Sequence, residues 1–212
     1  VGLLDVANHM AKKYLPYNCE AGYKELHKIA ERHSYFLIKA ALELGIERGN
    51  APWIDKTKWP EGWLPIDTYN KNVDSIADFK LQYDWEELRS AIIANKGIRF
   101  SSLVAHMPTE SSSKAAYAMN GIYMARMLTM VKTDGTNAID WVAPGSDEYG
   151  AGYQLAWTTS VIDQFKIYAV FQKFADQSIS ADTYRDRRED FEIKHSDILD
   201  EYAAMIHYGV KS

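Results

Sequence analysis

Apolar positions recur at helical spacing through most of this chain. Leu3, Leu4, Val6, Ala7, Met10 and Ala11 form one such run, which Pro16 stops. A longer run from about Ala21 to Gly49 sets Leu26, Ile29, Ala30, His33, Phe36, Leu37, Ala40 and Leu44 on one predicted face, and Gly49-Asn50 supplies its stop. Residues 50–83 break the pattern. Pro52, Pro60 and Pro65 sit among Trp53, Trp59 and Trp63, which predicts an ordered, aromatic-rich connection rather than a helix. Asp84 with Glu87 gives a capping-box start, Leu88, Ala91, Ile92 and Ile93 pack, and Gly97 ends that helix.

Further along, Ile98 to Met107 predicts a buried strand centred on Phe100, Leu103, Val104 and Ala105. Pro108 breaks it, and helix resumes over Ser111–Tyr117. Met127 to Val142 predicts a β-hairpin turning at Asp134-Gly135, closed off by Pro144-Gly145. Tyr153 to Phe174 is helical in two pieces, and Ser178-Ile179-Ser180 is short and strand-like. Tyr184 to Asp190 is a charged, solvated stretch. Ser196 is the expected cap of a last helix through Tyr208. Its apolar face is Ile198, Leu199, Tyr202, Ala203, Met205 and Ile206, and Gly209 stops it.

Composition narrows the function classes. With 212 residues and 47% apolar content, the chain can bury a substantial core and is not of the disordered type. Its net charge of −5 and lack of any basic block argue against nucleic-acid binding. No apolar run reaches the ~20 residues of a membrane helix. Cys19 is the only cysteine, so neither an internal disulfide nor dithiol chemistry is available within the chain. No basic leader is visible, and the expected location is cytoplasmic. His9, His27, His33, His106, His195 and His207 show no metal-ligand spacing. His33 on an apolar face is expected to be a core residue. His106 is either a structural strand end or a group that tunes the turn beside it. Cys19 falls in a polar loop with no chemical context.

The informative window is a predicted strand running into Met107-Pro108-Thr109-Glu110-Ser111-Ser112-Ser113 and then a helix. The first amides of a helix lack internal acceptors, and the helix dipole places partial positive charge there. Hydroxyls beside them add donors, so the turn can hold a phosphate group without Lys or Arg. The same residues also read as an over-supplied helix cap. Glu110 is the one acid in the turn, and it fits beside a phosphate only if its backbone meets the anion.

That window resembles the substrate-phosphate motif of class I ribonucleotide reductase large subunits. Leu64-Pro65-Ile66-Asp67-Thr68-Tyr69, Tyr83-Asp84-Trp85-Glu86, Asn120-Gly121-Ile122, Gln172-Lys173-Phe174, Asp176-Gln177-Ser178-Ile179-Ser180-Ala181 and Tyr208-Gly209-Val210-Lys211 resemble further landmarks of that family, in order. The resemblance spans nearly the whole chain, 1–212. It implies a fold of the α/β class, a helix-rich part of a ten-stranded α/β barrel. It also implies radical chemistry in which a thiyl radical removes hydrogen from the ribose 3′ carbon, water leaves from the 2′ carbon, and a cysteine pair supplies electrons. The substrate, a ribonucleoside diphosphate, would rest its diphosphate on Pro108, Thr109, Glu110, Ser111 and Ser112.

The departures define what the chain does not supply. The family's radical cysteine, reducing cysteine pair and nearby Asn and Glu have no match here. No cofactor is expected in this chain. The resemblance places a radical-generating metal centre on a small partner subunit and allosteric nucleotides on an upstream part. Met124-Ala125-Arg126 stands where the family is often Pro-rich, and Thr183 to Lys194 is charged where Pro and Gly are frequent. The family's paired tyrosines would follow soon after Ser212. The chain therefore reads as a C-terminal portion of a catalytic subunit, inactive alone and dependent on the remaining segments of the large subunit. An incomplete barrel would expose sheet edges and apolar faces. The last helix suits either the core or a docking surface for the small subunit's tail. The other reading is a non-catalytic structural or regulatory subunit that keeps the scaffold without touching substrate.

Overall fold

A computed structural model describes residues 1–134, 137–185 and 192–210, apart from the side chains at 132, 134, 137 and 139. The first short helix, α1 (Val6–Lys12), begins at Asp5, whose φ is +69°. The Asp5 carboxylate accepts from the Met119 amide at 2.8 Å and the Asn8 side chain at 2.8 Å, which ties α1 to a distant loop. The long helix α2 (Glu20–Arg48) matches the predicted span. Its cap is Cys19, whose Sγ accepts from the Gly22 amide at 3.3 Å. The cysteine expected to lie idle in a loop is thus the cap of the longest helix, because its sulfur stands in for a Ser or Asp oxygen.

The buried stripe of α2 is rotated from the predicted one. Tyr23, Leu26, Ala30, Ile38, Ala41 and Leu42 are buried, with the polar His27, Glu31 and Ser34 among them, whereas Phe36 is exposed and Ile29, His33 and Leu37 are half-buried. Of these polar members Glu31 is the one that other elements supply with donors, whereas the His27 ring nitrogens and the Ser34 hydroxyl have no hydrogen-bond partner among the described residues. The Glu31 carboxylate accepts from the Gln82 amide at 2.7 Å, the Gln82 side chain at 3.0 Å, the Tyr83 amide at 3.3 Å and the Trp85 indole at 3.1 Å. A carboxylate with that many donors is as much a core residue as a leucine.

The proline-rich connection folds into single turns, including α3 (Pro65–Thr68) and α4 (Asp74–Ala77). Trp59 is buried and its indole donates to Ser101 O at 2.9 Å. Trp63 is half-buried, but Trp53 is 78% exposed, so the ordered, aromatic-rich connection buries only part of its indole surface. The next helix, α5 (Trp85–Ala94), starts as predicted, with Asp84 accepting from the Glu87 amide at 2.9 Å.

Ile98 to Met107 does not form a regular strand. It is extended, but its bonds go to short neighbours on two sides. Val1 donates its ammonium to Leu103 O at 2.6 Å and accepts from the Ala105 amide at 3.0 Å. On the other side, the amides of Gln177 and Ser180 donate to Val104 O and His106 O at 3.1 and 2.8 Å. The Asp176 carboxylate takes the Leu103 and Val104 amides, so a side chain replaces part of a ladder. Ser178-Ile179-Ser180 likewise lies alongside without becoming a strand. Phe100, predicted at the heart of the strand, is 45% exposed.

After α6 (Glu110–Ala115) comes the one regular sheet among the described residues, β1 (Thr129–Asp134) paired antiparallel with β2 (Asn137–Val142). Thr129 faces Val142 and Asp134 faces Asn137, which matches the predicted hairpin. Its turn at Asp134-Gly135 and most of the charged stretch from Tyr184 to Asp190 lie outside the described residues, as does Lys211. Then follow α7 (Ser146–Tyr149), a single turn at Ala156–Thr158 and α8 (Val161–Gln172), capped by Ser160. This reproduces the predicted two-piece helix. Phe165, Ile167, Tyr168, Val170 and Phe171 are all buried, and α8 packs between α2 and the last helix, α9 (His195–His207).

The α9 helix starts one residue before its predicted cap. The Asp197 carboxylate accepts from the Lys194 amide at 2.9 Å, so Lys194 takes the cap position and Ser196 falls inside the first turn. The architecture is a helix-rich framework with one small sheet, its core centred where α8 meets α2.

Candidate functional site

The predicted phosphate turn sits at the start of α6. Thr109 is its cap residue, but the Thr109 side chain does not cap the helix. Instead its hydroxyl lies 3.1 Å from Asn120 Oδ1 and accepts from the Gly121 amide at 2.9 Å, while its own amide donates to Asn120 Oδ1 at 2.6 Å. What Thr109 contributes is the shape of the turn. Gly121 sits at φ +55°, and a Cβ there would meet the Tyr123 ring at 2.8 Å, so the close return of the chain requires glycine.

The first internal bond of α6 runs from the Ser113 amide to Thr109 O at 2.9 Å. Among the described residues the amides of Glu110, Ser111 and Ser112 therefore have no acceptor. Ser111 and Ser112 are exposed, so their hydroxyls flank those amides in solvent. Ser113 is different: it is buried and its hydroxyl donates to Glu110 O at 2.8 Å. Asn120 Nδ2 lies 3.4 Å from Glu110 Oε1, which draws the carboxylate toward the Asn120 loop. Pro108 is half-buried and fixes the break between the extended segment and the helix.

The sequence window thus holds three free amides and two exposed hydroxyls in one short stretch, with Asn120 as the brace. Asn120 was visible only as a member of an Asn-Gly pair, and nothing local says that it reaches back to Thr109.

His106 lies two residues before Pro108 but does not face the turn as a polar group. It is buried, edge-to-face with Phe171 at 5.4 Å and 5.5 Å from the His33 ring. Neither of its ring nitrogens has a hydrogen-bond partner among the described residues. Burial, with His33 and the N-terminal ammonium adding, pushes His106 down to about 3, and burial first pushes His33 down to about 4. Both are neutral packing groups at neutral pH, as the structural alternative for His106 has it. Among the described residues no group of three or more His, Cys, Asp or Glu side chains lies close enough to hold a metal ion. Among them also, no helix is long and apolar enough to cross a membrane.

An extended segment thus ends in an open, hydroxyl-bearing helix start, set on a helix-rich framework with one small sheet among the described residues. Residues 1–145 match the family described as ribonucleotide reductase, barrel domain, and the chain belongs to that family. Over its full length it is 35% identical to the alpha subunit of ribonucleoside-diphosphate reductase 1 of Escherichia coli. It is 34% identical to the alpha subunit of Haemophilus influenzae and 33% to that of bacteriophage T4, again over its full length. In each case it covers 28% of the relative, so the chain spans little more than a quarter of the length of the curated relatives it matches.

Proposed function

We propose that this chain holds the diphosphate of a ribonucleoside diphosphate within a ribonucleotide reductase large subunit, as part of its ten-stranded barrel. The remaining segments supply the cysteines that carry radical and reducing chemistry, and a small subunit supplies the radical through its metal centre. The carrying observation is the start of α6, where the amides of Glu110, Ser111 and Ser112 lack acceptors beside the exposed Ser111 and Ser112 hydroxyls. Donors preset in this way bind an anion without reorganising, and they fix the ribose relative to the reacting group. Glu110 takes part through its backbone, since its carboxylate would repel the ligand.

The test is the double variant Ser111→Ala, Ser112→Ala in the reassembled enzyme. Each lost hydroxyl removes a hydrogen bond to a charged group, about tenfold apiece, so diphosphate affinity is expected to fall about a hundredfold in the double variant. Affinity equal to wild type would falsify the substrate-holding role. It would favour a scaffold subunit that does not touch substrate.

A further inference from the structure

The α2 helix carries two apolar stripes, and only one is fully covered among the described residues. Leu26, Ala30, Ile38 and Leu42 are inside the core. Ile29, His33, Phe36 and Leu37 instead line an open groove of about 590 Å³, whose opposite wall is Leu3, Leu4 and Val6. Phe36 is 48% and Leu4 38% exposed there. A helix that is apolar on two sides is ordinarily covered on both. Arg32 stands on the groove wall, exposed, and makes no hydrogen bond or ion pair among the described residues. It differs from nearby His9 and Lys13, which both bond Glu25 at 2.8 and 2.6 Å.

The geometry points to this groove as the seat of a helix from the remaining portion of the large subunit, one that lays apolar side chains on Ile29, Phe36 and Leu37 and sets a carboxylate against Arg32. A helix fits because the wall is a ridge of side chains three and four residues apart on α2, the surface into which a second helix packs. The carboxylate follows from the unpaired guanidinium beside an apolar floor. The source follows from length, since the relatives carry nearly three quarters of their sequence outside the matched region. The inference rests on the reading that the chain works inside a large subunit.

The experiment expresses this 212-residue chain and the remaining portion of the large subunit as separate polypeptides and measures their affinity by titration calorimetry. Phe36→Asp should weaken association at least about tenfold, as an anchor at the centre of an interface does. Arg32→Glu, which breaks no hydrogen bond or ion pair among the described residues, should weaken it several-fold and reduce its salt dependence. Thermal melts of each isolated variant report folding, because Phe36 also touches the rings of Tyr35 and Tyr83. Wild-type affinity in Arg32→Glu and in a folded Phe36→Asp overturns the assignment of the groove. So does a homodimer of the isolated chain that Phe36→Asp dissolves, which would give the groove to a second copy. Failure of the wild-type pieces to associate at all refutes the shared-subunit reading itself, and is distinguishable because both variants are then uninformative only after the parent has failed.

Discussion

Glu31 is fully buried on α2, and its carboxylate collects donors from Gln82, Tyr83 and Trp85. Removing it would strand several buried N–H groups at once. Glu31→Met is therefore expected to cost about 3 kcal/mol, read as a lower urea midpoint. An unchanged midpoint would show that the donors find water. Three buried imidazoles act in the opposite sense. His27 and His33 are held down at about 4 and His106 at about 3, in each case by burial first. In the unfolded chain each titrates near ~6.5. Between those limits the unfolded chain binds protons that the folded chain does not, so stability falls as pH is lowered from about 6.5 towards 4. His106→Leu removes two unpartnered nitrogens, so it should hold or raise stability at neutral pH and flatten the acid-side loss of melting temperature. An equally steep pH profile in His106→Leu would assign the loss to other groups. The apolar face around His33 and the strand-end position of His106 already suggested packing roles, but the burial of His27 and the donors around Glu31 were not readable locally, because a histidine or glutamate in a helical run carries no mark of what will pack against it.

At the scale of elements, caps and stops were the legible part. Asp84 and Gly49 stand where their helices begin or end, since capping is settled within a few residues of chain. Asp84→Ala should cost about 1 kcal/mol, visible as a small drop in melting temperature, and no drop would mean that another acceptor replaces it. The start of α2 has a tighter requirement. A Cβ on Gly22 would run into Pro16 O and lie 2.7 Å from Tyr17 O, so Gly22→Ala should destabilise despite alanine's better helix propensity. A rise in melting temperature would contradict that contact. The extended segment before Thr109 departs from the predicted strand because its polar groups are met by Asp176, Val1 and the amides of Gln177 and Ser180 rather than by long partners. Asp176→Ala leaves the Leu103 and Val104 amides unmet and should lower the unfolding free energy by about 2 kcal/mol. A wild-type denaturation curve would show that the segment holds without it.

Across the whole molecule, α8 serves as the pivot, buried along most of its length between α2 and α9. Lys173 just beyond it is buried and reaches Asp74 at 2.9 Å, joining the proline-rich connection to the core. Burial alone would raise the Asp74 carboxyl, but bonds from Lys173 and Tyr69 outweigh it and hold it below the usual carboxylate range. Large apolar side chains nevertheless remain in water, on the second stripe of α2 and at Ile198, Leu199, Tyr202 and Ile206 of α9. Light scattering of the isolated chain should therefore show open-ended self-association that rises with concentration without settling at a defined dimer, and that is suppressed in the reassembled complex. A monomer at all concentrations would mean that those faces need no cover. The sequence by itself determined the order and type of most helices, the hairpin and the helix boundaries at Asp84 and Gly49, because each depends on neighbours within a turn or two. Only the tertiary structure decided which of α2's two apolar stripes faces the core, which polar groups are buried with partners, and that Asn120 braces Thr109. Those outcomes depend on contacts between residues far apart in the chain, and periodicity along one helix does not encode which side its distant neighbours will reach first.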